Sequence, residues 1–344
     1  MTRLSKSIFR AVAGLTLGGA SVAALAFQPL PEKAPEPADN PGTAAKIELG
    51  KQLYFDPRLS LDGTVSCNSC HNVMASGTDN KATSAGVAGK HGGRSAPTVW
   101  NAAFLSVQFW DGRADTLEDQ AKGPILNPVE MAMPSEAAVI ERLQKIPGYV
   151  SQFESVFGKN GLTYDNLAKA IAAFERTLIT PNSPVDRYLK GDKSALSAAA
   201  QRGMKAFEEV GCVACHNGVN FSGPQLPVGQ GFYQRFPTFS SKYDKQYQLT
   251  ADKGRFEATK KEADKHMWRV PTLRNVALTA PYFHNGSVKT LDEAVRVMAK
   301  AQLSKDLDDR QVADIVAFLN GLSGEFPQVA MPRLPDTPNS SVVD

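Results

Sequence analysis

Cysteine is scarce in this chain, four residues in 344, and none of the four is spare. That scarcity argues against a disulfide-stapled fold, which needs many cysteines for its length. Net charge is equally lacking. The formal total is +3, and three cations (Arg3, Lys6, Arg10) lie in the first 26 residues with no anion beside them. The remainder is therefore near neutral, which excludes a nucleic acid or an anionic membrane as an electrostatically driven partner. The one long apolar run, Ala11 to Ala26, is short for a membrane span and is broken four times by glycine or serine. Convincing alternating strands are absent as well, so the fold class reads as mainly α.

What the ends contain fits export. A basic start, an uncharged apolar run and the small-x-small sequence Ala24-Leu25-Ala26 predict a signal peptide over residues 1–26. Residues 27–43, with Pro29, Pro31, Pro35, Pro37 and Pro41, read as an extended lead-in without a core of its own. Residues 326–344 read as a proline-rich tail. Between them the apolar spacing predicts helices: Val139, Ile140, Leu143 and Ile146 behind a Ser135 cap; Leu167, Ile171, Phe174 and Leu178; and Val312, Ile315, Val316 and Leu319, ending at Gly321.

All four cysteines fall in two copies of one motif, Cys67-Asn68-Ser69-Cys70-His71 and Cys212-Val213-Ala214-Cys215-His216. Cys-x-x-Cys-His is the attachment signature of c-type haem, with two thioether bonds and the adjacent histidine as proximal iron ligand. An all-cysteine zinc site or a disulfide framework would use the same cysteines. The histidine attached to each copy favours two haems. Haem of this type is attached outside the bacterial inner membrane, so motif and leader agree on the periplasm.

The chain also repeats itself. Pro97-Thr98 and Asn101 match Pro271-Thr272 and Asn275; Trp110-Asp111-Gly112 matches His284-Asn285-Gly286; Thr116-Leu117 matches Thr290-Leu291; and every pair is 174 residues apart. Arg94 and Arg269 stand just upstream, one residue out of register. Two duplicated cytochrome c-like haem domains are the simplest reading: an N-terminal one over residues 44–182 and a C-terminal one over 183–325, divided at Thr180-Pro181-Asn182-Ser183-Pro184. From Gly218 to about Lys265 the second half carries an insertion, read either as functional or as a solvated surface loop.

The sixth iron position decides whether a haem carries electrons or binds a small molecule. Met298 lies on the apolar face of a helix and reads as a core residue or as an axial ligand. Its repeat equivalent, 174 residues earlier, is Pro124, which offers iron no side chain. The two haems are thus expected to be unequal, the second filled and the first open or loosely capped. His91, in the glycine-rich Gly86–Gly93 loop, is the candidate loose cap, or else an exposed loop histidine. Glu130, just after a proline, reads as a carboxylate able to move a proton between the oxygens of an iron-bound peroxide, or as a surface glutamate, with Gln120 before it. Trp110 fills the slot of His284 and reads as an inter-haem relay or as core.

Together these strings resemble the bacterial di-haem cytochrome c peroxidases over about residues 44 to 325. The resemblance rests on Leu53-Tyr-Phe-Asp-Pro-Arg-Leu-Ser60, Phe109-Trp-Asp-Gly-Arg113, Gln120-Ala-Lys-Gly-Pro124, Leu178-Ile-Thr-Pro-Asn-Ser183 and Leu278-Thr-Ala-Pro-Tyr-Phe-His284. It implies a low-potential, peroxide-reducing N-terminal haem on Cys67, Cys70 and His71. It implies a high-potential electron-entry haem on Cys212, Cys215 and His216, with Met298 as sixth ligand. Glu130, Gln120 and Trp110 match the family's peroxide-site residues and inter-haem tryptophan. The resemblance further implies hydrogen peroxide as substrate, a small electron donor (a cytochrome c or a cupredoxin), a homodimer, and a calcium ion at Ser95, Thr279 and Pro281. This chain departs from the family pattern twice. The switchable histidine's usual slot holds Val87, four residues before His91, and Ser95 stands where asparagine is usual. The rival readings are a pure two-haem electron carrier and a related di-haem enzyme that oxidises tryptophans in a partner protein. The latter branch carries tyrosine at the place of Met298.

Overall fold

Two sets of buried apolar side chains divide the molecule along the repeat. The computed structural model describes residues 26–337 and 339–343, so the expected leader falls almost wholly outside the described residues. The first core gathers Leu49, Leu53, Tyr54, Trp100, Ile125, Leu143, Phe153, Leu167 and Phe174. The second gathers Val185, Phe207, Phe221, Ile315 and Phe318, with a neighbouring cluster around Trp268, Val288 and Val297. Helices dominate, as expected. The strands Tyr233–Arg235 and Met267–Arg269 pair antiparallel and are three residues each, too short for alternation to show in the sequence.

Each half is organised by one helix crossing. In the first, Ala44–Phe55 packs on Tyr164–Glu175; in the second, Ala198–Val210 packs on Asp309–Asn320. The contact is close because a glycine sits at each crossing. A Cβ on Gly50 would lie 1.8 Å from the Ala170 carbonyl oxygen, and one on Gly203 would lie 1.7 Å from that of Asp314. Any side chain there would force the helices apart. Ser135, Thr116 and Thr290 cap helices as their sequence positions suggest, each accepting a backbone N–H three residues on. The Ser135 helix is shorter than the apolar spacing implied. It stops at Gln144, and Ile146 instead precedes Pro147, which opens the next helix. A residue before proline is pushed out of helical geometry, and this sets the break.

The two ends are less peripheral than they read. Phe27 is buried in the second core, stacked on Phe221 at 5.2 Å, and the Leu30 amide donates to Asp186 Oδ1 at 3.0 Å. The lead-in therefore does join a core, that of the distant half. Conversely, the tail packs on the first half, where Pro335 accepts from Arg58 at 2.9 Å and Val342 is buried. The insertion is folded against the first half too. Arg255 donates to the Asp111 and Gly112 carbonyls (2.9 and 3.1 Å), and Asp252 pairs with Arg94 at 2.7 Å. It thus clamps the Trp110-Asp111-Gly112 segment. No helix among the described residues is long and apolar enough to cross a membrane.

Candidate haem sites and peroxide cavity

The first motif forms the short helix Cys67–Cys70, opened by Ser66, whose amide donates to Ser69 Oγ at 3.0 Å. His71 follows, its carbonyl held by the Tyr54 hydroxyl at 2.7 Å. Its Nδ1 lies 2.9 Å from the Pro97 carbonyl, and Nδ1 of His216 lies 3.0 Å from that of Phe221. A carbonyl only accepts, so each Nδ1 carries the proton and each Nε2 is left with its lone pair, the tautomer a metal-bound imidazole needs. Burial also pushes both imidazoles toward the neutral form. The same burial pushes the Cys212 thiol up to about 12 and Cys67 higher still. Among the described residues no cluster of three His, Cys, Asp or Glu side chains is placed to hold a metal ion.

Both motifs face cavities, and the cavities differ. Cys70 and His71 line one of about 550 Å³, within the size range of cofactor pockets, together with Gln108, Trp110, Gln120, Pro124 and Glu130. Cys212 and His216 line two adjoining, narrower cavities of about 170 and 80 Å³, and Met298 lines both. Their other walls are largely apolar, including Leu273, Val276, Leu291, Val295 and Phe283. The proline and the methionine related by the repeat therefore occupy corresponding walls. Each half offers what a c-type haem requires: two sulfurs, an oriented imidazole and space beside them. The donor sets fit the group.

Glu130 and Gln120 come together on the first cavity. Burial raises the Glu130 carboxyl above its usual range, against the opposing pull of Arg113 and an Asn127 amide 2.8 Å away. Trp110 lines all three cavities, so one indole is shared between the halves, its Nε1 anchored on the Ser95 carbonyl at 2.9 Å. His91 is not brought in. Its ring is exposed, Nδ1 lies 3.1 Å from Thr83 Oγ1, and the cavity wall is made instead by the next residues, Gly92 and Gly93. Val87 is buried, and its amide donates to the Glu130 carbonyl at 2.8 Å. Ser95, Thr279 and Pro281 do share one cavity wall. The Ser95 hydroxyl donates to Lys81 O at 3.1 Å and the Thr279 hydroxyl to Val276 O.

With this geometry the known proteins agree. A family profile described as di-haem cytochrome c peroxidase matches residues 44–194. The chain is 48% identical over 312 residues to the cytochrome c551 peroxidase of Pseudomonas aeruginosa, covering 90% of this chain and 87% of that one. It is 44% identical to the cytochrome c551 peroxidase of Nitrosomonas europaea, covering 91% and 90%. This chain belongs to the di-haem cytochrome c peroxidase family. Among solved structures it is similar to a MauG-like protein associated with microbial copper homeostasis, at 30% identity and a TM-score of 0.75, covering 86% of this chain and 95% of that one. As a family member it is a haem-dependent peroxidase and carries two haems.

One group in this di-haem peroxidase, Glu175, escaped the sequence, and a second, His284, was visible there only as a slot in the repeat. Glu175 is buried in the wall of the first cavity with Oε2 unpartnered. Beside an apolar helical stripe, a glutamate reads as the start of the solvent face; only the three-dimensional crossing shows otherwise. His284 is buried at the second site, stacked on Trp268 at 4.1 Å with Nε2 unpartnered. The repeat pointed to its slot but not to its tryptophan neighbour, which lies upstream in a segment outside the matched register.

Proposed function

We propose that this chain is a periplasmic di-haem peroxidase that reduces hydrogen peroxide to water with two electrons from a small redox protein. One contrast carries the reading: Met298 lines the cavities that His216 lines, whereas Pro124, its repeat equivalent, lines the cavity of His71. A thioether beside the second iron fills its coordination and raises its potential, which suits electron entry. A proline side chain would offer an iron at the first site no ligand. The first haem domain would span residues 44–182 and the second 183–325. Relatives named cytochrome c551 peroxidases support a small c-type cytochrome as donor, and a cupredoxin would serve the same chemistry.

Held on Cys67, Cys70 and His71, and on Cys212, Cys215 and His216, the haems would supply one-electron redox chemistry. The chain's own residues do the rest. Glu130 takes a proton from one peroxide oxygen and gives it to the other, so that the leaving oxygen departs as water. Two further protons and two electrons complete the balance of one peroxide to two waters. Burial raises the affinity of Glu130 for its proton, which favours the half of that transfer in which it accepts one. The Gln120 amide orients the peroxide. Trp110, shared between the cavities and fixed by Ser95, provides the path between the two sites.

The oxygen set at Ser95, Thr279 and Pro281 suits a hard cation such as calcium through carbonyl and hydroxyl groups. It includes no carboxylate, so we assign it weak affinity. The family resemblance also implies a homodimer, which sedimentation would read directly. The deciding experiment is peroxide consumption by purified holoprotein with a reduced donor. Turnover above a free-haem control supports the reading; turnover equal to that control overturns it.

A further inference from the structure

The helix crossings supply a register that the 174-residue repeat does not reach. Gly50 meets Ala170 as Gly203 meets Asp314, so residues of Tyr164–Glu175 correspond to residues of Asp309–Asn320 at a separation of 144. By that register Glu175 is the counterpart of Leu319. Both are buried, at 6% and 4% exposure, and each lines its own half's haem cavity. The duplicated halves thus differ at this place by one carboxyl group.

Nothing in the packing around Glu175 explains a carboxyl there. Its Oε2 has no hydrogen-bond partner, although an unpaired polar group in an apolar wall is costly. The charged and titratable groups that act on it or feel it are few. They are Arg176 on its own helix, Glu118 from Leu117–Leu126, Tyr54 from Ala44–Phe55, and Cys67 of the motif. Arg176 is already held bidentate by Glu118, at 2.8 and 3.0 Å, and is not available as a salt-bridge partner. Burial accordingly raises the Glu175 carboxyl to about 8, so it holds a proton at neutral pH until a nearby positive charge displaces it.

We propose that Glu175 is a redox-linked proton carrier of the first half, binding one proton when the haem on Cys67 and Cys70 gains one electron and releasing it when that electron leaves. The electron comes from the donor by way of the second haem, and the proton comes from water entering past half-buried Gly92 and exposed Gly93 in the cavity wall. Charge in the pocket stays constant through the step, which removes the electrostatic cost of adding an electron to a buried site. Leu319 gives the second half no such group. The inference assumes only that both haems are bound, not which of them meets peroxide.

Optical redox titration of the holoprotein between pH 6 and 9 tests it without peroxide, for wild type, E175Q and E175L, the last copying the second half. The expected result is a first-haem midpoint potential that falls as pH rises in wild type and loses that dependence in both variants. The second haem should titrate alike in all three. A pH-independent first haem in wild type overturns the proposal, even if neither variant folds. So does a variant that keeps the wild-type slope.

Discussion

Asn101 and Asn275, the two copies of one repeated residue, meet at a single atom. Both side-chain amides donate to Thr180 Oγ1, at 2.8 and 2.9 Å, and all three residues are fully buried. Both asparagines take the left-handed backbone, with φ 64° and 59°, so the duplication is preserved in conformation as well as in sequence. The other side-chain oxygens are spent on the amides of Thr180 and Gly324, which ties the 180–184 hinge to both halves. Thr180→Val keeps the shape and removes the shared acceptor, leaving two buried donors unpaired. We expect a loss of about 2–6 kcal/mol in urea unfolding, at 1–3 for each orphaned group. A loss near that of one bond would show that the two halves do not depend on this contact together.

Glu130 is positioned from behind by a glycine. A Cβ on Gly86 would lie 2.2 Å from the Val129 carbonyl oxygen and 2.6 Å from that of Glu130, so the loop and the carboxylate segment fit only without a side chain. Gly86→Ala should push Glu130 out of place and lower peroxide turnover while both haems remain bound. Glu130→Gln removes the proton transfer itself and should cost about 10²–10⁴-fold. Steady-state peroxide reduction with haem content measured in parallel checks both.

His91 is tied to Thr83 and lies outside the cavity wall. Val87, in the slot of the switchable histidine, is pinned by its amide to Glu130. With no loop histidine at the first site, the oxidised enzyme should already bind cyanide. His91→Ala should leave that binding and the high-spin signal unchanged. A low-spin first haem that turns high-spin in the variant would show that the loop rearranges to bring His91 in.

Met298 shares both second-half cavities with His216. Met298→Tyr should change the second haem's absorption and lower its potential, because oxygen ligation favours the oxidised iron more than a thioether does. The first haem's spectrum should stay as it is. An unchanged second haem would remove methionine from its coordination.

The haem motifs and the family of this chain were legible and its fastening was not. The two Cys-x-x-Cys-His motifs and the Thr116 and Thr290 caps are local signals, and in three dimensions the motifs line cavities and the caps open helices, while Met298 and Pro124 each line a cavity of their own half. Phe27, Pro335 and Val342 act across the molecule: a proline-rich end carries no periodicity to announce that its one phenylalanine stacks in the far core. The insertion is similar, since Arg255 and Asp252 find partners in Asp111, Gly112 and Arg94 more than a hundred residues away. Glu175 was hidden for a different reason. Helical periodicity assigns a face from the majority of its residues, and a lone buried carboxyl at the stripe's edge runs against that majority.

His284 gives the fold a pH limit. Burial lowers its imidazole to about 4, with Asp252 opposing the shift and Arg94 adding to it. In the unfolded chain the same group titrates near the ordinary value of about 6.5. Between those values the unfolded state binds a proton that the folded state refuses, so stability is lost as pH falls from 6.5 toward 4. The full effect is on the order of 3 kcal/mol, from about 1.4 for each unit of difference. His284→Phe keeps an aromatic ring on Trp268 and cannot take a proton. Urea midpoints of wild type and variant should therefore run together above pH 7 and separate below 6, the variant being the more stable in acid. Parallel curves down to pH 4 would mean that His284 is protonated in the folded protein, with Asp252 compensating its charge.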